Sequence, residues 1–117
     1  MPRAPKDART CDGALARAFD FLGKRWNGVI IGTLSHGPAG FAELKRAIAG
    51  ISDSMLSDRL TELTAAGLLS RDVSPGPPLS VSYRLTASGE NLLPVLEKLA
   101  DWAAGNLPEK KCREAIK

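Results

Sequence analysis

The sequence predicts an α+β fold, mainly α: a helix-turn-helix followed at once by a β-hairpin, with extra N- and C-terminal helices that form a homodimer. Three observations predict it. Two short apolar stripes of helical period, around Leu44 and around Leu60, are separated by a glycine-containing turn. Directly after them comes a stretch that alternates around a proline-rich turn. A long C-terminal segment is too apolar along one stripe for the surface helix of a small monomer.

Each element has its own signal. Residues 1–10, MPRAPKDART, hold two prolines and mixed charge and read as a flexible basic arm. Leu15, Ala18, Phe19 and Leu22 then recur at helical spacing, and Gly23 offers a stop. A second helix runs from Trp26 through Val29, Ile30, Ile31 and Leu34 to the turn-rich Ser35-His36-Gly37-Pro38. Within it, Gly28 and Gly32 form a G-x-x-x-G that in a short helix signals close helix packing. Phe41, Leu44 and Ile48 mark one face of a third helix of about nine residues, which Gly50 breaks. Ser52 is a good N-cap for a fourth, whose inward face is Leu56, Leu60 and Leu63 and which Gly67 closes. Leu68 to Val73 reads as a strand, Ser74-Pro75-Gly76-Pro77-Pro78 as a turn or extended loop, and Ser80 to Leu85 as the returning strand. Thr86-Ala87-Ser88 opens the long final helix with Leu92, Leu93, Leu96, Leu99 and Trp102. A β-hairpin directly after the second helix of the motif is the arrangement of a winged helix. The subunit contact is expected from Leu15, Phe19, Leu92, Leu96, Leu99 and Trp102, within one domain spanning 11–107 and followed by a charged tail, 108–117.

Composition narrows the function classes. With 117 residues, 44% hydrophobic and 25% charged, the chain reads as one ordinary globular domain rather than a disordered segment. Cys11 and Cys112 are too few for a disulfide scaffold and lack C-x-x-C spacing. No apolar run approaches the roughly 18 residues that span a bilayer, so a cytoplasmic protein without membrane contact is expected. The single histidine, His36, occupies a turn, and nothing assembles around it into a metal site or catalytic triad. No cofactor motif is present, and an enzyme is not expected. The net charge is +3, and all of the surplus lies in the first 25 residues. Residues 26–85, which hold the helix-turn-helix and the hairpin, sum to zero.

A resemblance sharpens these expectations. The pieces that carry it begin with Cys11 ahead of the first helix, Gly23-Lys24-Arg25-Trp26, and Gly37-Pro38 followed by Phe41-Ala42-Glu43-Leu44. They continue with Gly50-Ile51-Ser52, Met55-Leu56, Arg59-Leu60, Glu62-Leu63, Gly67-Leu68, Tyr83-Arg84-Leu85-Thr86 and Leu92-Leu93-Pro94-Val95-Leu96. In this order and spacing the chain resembles the HxlR-type transcription regulators, a winged-helix group related to the MarR regulators, over nearly all of residues 11–104. The resemblance implies a dimeric bacterial DNA-binding regulator, more often a repressor. It also implies a redox or electrophile sensor at the N-terminal cysteine of some members. The chain departs from the family in carrying Ser54 and Asp58 on the exposed side of the recognition helix, and Ser80 and Ser82 on the wing.

With Leu56, Leu60 and Leu63 inward, the opposite side of the fourth helix is Ser54, Ser57, Asp58 and Thr61, the side chains that meet base edges if this helix enters the major groove. Hydroxyls serve either kind of base pair and a carboxylate accepts from cytosine N4. Lys45 and Arg46 are candidates for phosphates, Arg84 is another on the returning strand, and Ser52 and Ser80 complete the expected DNA contacts. Arg59 pairs with Glu62 or reaches a phosphate. Cys11, at the start of the first helix with Arg9 two residues before it, is either an activated thiolate or a small core residue. The partners expected are therefore a double-stranded DNA operator, a second copy of the chain, and an oxidant, electrophile or small-molecule effector. The alternatives are a winged-helix protein interaction module without an operator, and a regulator answering to a non-covalent effector.

Overall fold

The computed structural model describes residues 12–109; the arm, Cys11 and residues 110–117 lie outside the described residues. The elements are α1 (Gly13–Leu22), α2 (Asn27–Thr33) with a 3-10 turn (Leu34–His36), α3 (Phe41–Ala47), α4 (Asp53–Ala65), β1 (Leu69–Ser74), β2 (Ser80–Leu85) and α5 (Ala87–Asn106). This is the expected winged helix-turn-helix.

The boundaries follow from local chemistry. Asp12 caps α1, its Oδ1 accepting from the Ala14 and Leu15 amides at 3.0 and 3.2 Å. Ser52 caps α4 in the same way through the Met55 amide at 3.1 Å, and Thr86 caps α5 through the Gly89 amide at 3.2 Å. At the other end of α4, Gly67 adopts φ +84° and its N–H bonds the Thr64 carbonyl, while the Leu68 N–H reaches back to the Leu63 carbonyl. Those two bonds make a Schellman motif, for which glycine is the residue without a Cβ penalty. Leu68 is thereby used by the cap, so β1 starts one residue later than the sequence predicts. The third helix also differs: α3 has seven residues, and Ile48 leaves it at φ −105°, ψ 89°. Ile48 and Ile51 are both drawn into the core, and the chain between them must turn rather than continue the helix.

One core lies between α2, α3, α4 and the base of the hairpin. It joins Trp26, Ile30, Ile31, Leu34, Leu44, Ile48, Ile51, Leu56, Leu60, Leu63, Leu69 and Leu85. Burying each large aliphatic side chain contributes about 1.5–3 kcal/mol, so the four elements hold one another in register. The wing pairs antiparallel from Leu69↔Leu85 to Ser74↔Ser80, and Ala39 adds a bridge to Tyr83 through N–H···O bonds of 3.0 and 2.8 Å. The G-x-x-x-G of α2 is looser than expected: a Cβ on Gly28 would make ordinary contact with Leu22 and Leu96, at 3.4 and 3.9 Å, and Gly32 faces open space.

The long helix α5 divides along its length. Leu92, Leu93 and Leu96 pack partly against the chain's own core, while Val95, Leu99 and Trp102 are exposed. Pro94 sits inside this helix, where it withholds the N–H that would bond the Glu90 carbonyl. At the opposite end of the chain, α1 contains no buried residue, and Leu15 and Phe19 are more than half exposed.

Candidate nucleic-acid interface

The helix-turn-helix places α4 with Leu56, Leu60 and Leu63 in the core, and Ser54, Ser57, Asp58 and Thr61 exposed on the side away from it. This is the face expected from the sequence. Ser52 Oγ is engaged in capping and stands 3.5 Å from Ser54 Oγ, so its role is to start the helix in the right place. Met55 is also exposed on α4 and is not among the expected DNA contacts; an exposed thioether at this point suits apolar contact with a thymine methyl. The signal for it was its position one residue before the inward Leu56.

The cations are mostly engaged. Lys45 Nζ lies 3.5 Å from Asp53 Oδ1, linking α3 to the first turn of α4. Arg84 Nε donates to Asp72 Oδ2 at 2.9 Å, an ion pair that spans the two strands of the wing. Arg59 Nη2 donates to Glu62 Oε2 at 2.8 Å, the first of its two expected partners. That hydrogen bond, with the charges of Arg59 and Lys24, holds the Glu62 carboxyl below the usual carboxylate range. Among the described residues, the cations of 26–85 without an ion pair are Arg46, exposed on α3, and Arg71, exposed on β1. Arg71 was not among the predicted residues. Ser80 and Ser82 lie on the returning strand, Ser80 exposed and Ser82 half-buried.

Two further surfaces bear on function. Leu15, Phe19, Leu99 and Trp102, four of the residues expected at a subunit contact, are exposed, and the other two, Leu92 and Leu96, are partly buried against the chain's own core. An open groove of about 780 Å³ lies between the 3-10 turn, the end of β2 and α5, lined by Leu34, Leu85, Leu93 and Pro94 together with Arg84 and Glu97. Among the described residues, no helix is long and apolar enough to cross a membrane.

A short helix pair that presents a polar outer face beside a two-stranded wing defines a winged helix-turn-helix protein of the transcription-regulator class. More closely, the chain belongs to the HxlR-like helix-turn-helix family, whose model matches residues 21–111. It is 44% identical over 86 residues to the HTH-type transcriptional regulator YodB of Bacillus subtilis, covering 74% of this chain and 77% of that one. The fold matches the reduced form of YodB with a TM-score of 0.75 and 37% identity, over 87% of this chain and 100% of the other. The quinone-bound form of YodB matches with a TM-score of 0.69 and 37% identity, over 80% and 99%. The redox regulator HypR in its oxidised form also matches, with a TM-score of 0.75 and 29% identity, over 82% and 99%. The family is one of DNA-binding transcription regulators, not enzymes.

Proposed function

We propose that the chain works as a cytoplasmic homodimer that binds a pseudo-palindromic operator and represses transcription from it. One observation carries this reading: α4 offers Ser54, Ser57, Asp58 and Thr61 outward from a helix whose start is fixed by Ser52 and whose inner face is locked in the core. In the dimer, two such helices enter successive major grooves about 34–36 Å apart. Short hydroxyls discriminate modestly, so DNA shape and bridging water supply part of the specificity. Arg46 on α3 and Arg71 on the wing hold phosphates, and Lys45 does so at the expense of its pairing with Asp53. The exposed residues Leu15, Phe19, Leu99 and Trp102 form the contact with the second subunit.

Cys11 is the sensor in this proposal. It directly precedes Asp12, the N-cap of α1, so a modified thiol there bears on the helix that also carries Leu15 and Phe19. A helix N-terminus favours the reactive thiolate. Likeness to YodB, solved reduced and with quinone, and to the redox regulator HypR supports an oxidant or electrophile as the signal.

A gel shift with DNA from upstream of the protein's own gene, in excess nonspecific competitor, tests operator binding. A competitor-resistant band is expected, and Arg46→Ala should weaken it evenly across site variants while lowering the salt slope by about 1. Cys11→Ser should bind as the wild type does and lose the response to diamide or benzoquinone. The pairing of Lys45, Arg59 and Arg84 with carboxylates favours a second reading, a protein interaction module. Absence of a competitor-resistant band on any genomic fragment would decide for that reading.

A further inference from the structure

The junction between α1 and α2 is tied to the helix-turn-helix by side chains from both sides. Asn27, only 2% exposed, donates from Nδ2 to the Phe21 carbonyl in the last turn of α1 at 3.1 Å. Its Oδ1 accepts from Arg59 Nη1 at 3.5 Å. The same guanidinium holds Glu62 at 2.8 Å, and Glu62 stands 3.5 Å from Lys24 Nζ, back in the junction. Beside them the Trp26 ring, with the Arg25 guanidinium 5.2 Å from its centroid, lies against the turn at Gly50 that separates α3 from α4. Since α1 buries none of its own residues, Phe21 and this junction are what connect it to the core.

We propose that Arg59 is a positioning residue for DNA recognition, and that the path from the Phe21 carbonyl through Asn27 to Arg59 sets the orientation of α4 according to where α1 stands. The inference rests on the operator-binding reading above. Its physical basis is the planar fork of arginine, which reaches two acceptors at once where the point charge of lysine engages one. With 11% of its side chain exposed, Arg59 points into the junction, where Asn27 and Glu62 take its guanidinium. Asn27 is the only buried polar residue among those described, and its amide is used at both ends, as donor to α1 and acceptor from α4. A displacement of α1 therefore meets α4 through directional bonds as well as through the packing of Phe21 on the core.

The test compares the full chain as wild type, Asn27→Ala, Arg59→Ala, Arg59→Lys and the Asn27→Ala/Arg59→Ala double variant. In the free protein, amide hydrogen exchange across residues 55–63 should quicken about tenfold in each single variant, and no further in the double. Affinity for the tightest duplex selected from a randomised pool should fall about tenfold in each, with the wild-type salt slope retained, whereas Arg46→Ala lowers that slope. Wild-type behaviour of Arg59→Lys would overturn the proposal, because a phosphate contact tolerates lysine and a two-acceptor fork does not. Losses that multiply in the double variant would overturn it equally. Failure of the wild type to select any duplex refutes operator binding instead, and the exchange measurement then decides the α1-to-α4 path alone.

Discussion

Replacing Gly89 with alanine sets two effects against each other. In an α-helix interior the exchange favours alanine by about 0.5–1 kcal/mol. At this site a Cβ would overlap the Leu68 carbonyl oxygen and stand 3.2 Å from Leu85 Cδ2. Neither side can yield easily. The Leu68 oxygen already accepts from the Thr86 amide at 3.0 Å, and Thr86 Oγ1 donates to the Gly67 carbonyl at 2.7 Å, so the first turn of α5 is pinned against the cap of α4. Overpacking costs about 1–3 kcal/mol and a weakened backbone hydrogen bond about 1 more. Set against the propensity gain, the net loss is about 2 kcal/mol. Thermal and urea unfolding at matched protein concentration measure it, with a melting temperature lower by roughly 8–16 °C. Gly105→Ala, where nothing lies within 4 Å, is the control and should gain up to about 1 kcal/mol. A Gly89→Ala protein as stable as the wild type would refute the close approach of α5 to Leu68.

Three more outcomes are expected. Ser52→Ala should lose about 1 kcal/mol of stability in the same unfolding assays, and Ser52→Asp should restore most of it, because either side chain accepts from the Met55 amide. On the proposed dimer, Phe19→Arg or Leu99→Arg places a charge on the exposed apolar surface and should sediment as a monomer at concentrations where the wild type is expected to pair. Glu62 is held below its ordinary value of 4.5, chiefly by the Arg59 hydrogen bond, so its contribution is present above that value and lost as pH falls through the folded one. Unfolding midpoints of Glu62→Gln should accordingly fall less steeply than those of the wild type on acidification below pH 4.5. High salt should narrow the difference, since Glu62 is half exposed; superimposable pH profiles would exclude the Arg59 bond as its source.

What could be read in the sequence was local. Ser52, Gly67 and Thr86 announce helix ends because each acts on backbone groups within four residues of itself, and β2 emerges at its expected bounds, Ser80–Leu85. The outward face of α4 follows from the same short-range periodicity. Asn27 could not be found this way: it sits at the start of an apolar run, and its partner Arg59 is 32 residues away. The pairing of Lys45 with Asp53 and of Arg84 with Asp72 was hidden for the same reason, so cations that looked available for phosphates have protein partners. In α5 the apolar stripe gave the face but not what lies against it. Leu92 and Leu96 meet the chain's own core, and Leu99 and Trp102 continue the same stripe into solvent.

The two tryptophans differ in surroundings in a way that makes the chain its own optical probe. Trp26 is 6% exposed at the junction, while Trp102 is 54% exposed near the end of α5. A shielded indole emits to the blue of a solvated one, so intrinsic fluorescence separates two events that most assays merge. Dilution of an assembled pair should red-shift the share of the emission that belongs to Trp102 and leave that of Trp26 in place. In Trp102→Phe the remaining emission follows the junction alone, so a signal arriving through α1, timed in that variant, can be set against the dissociation that Trp102 reports in the wild type.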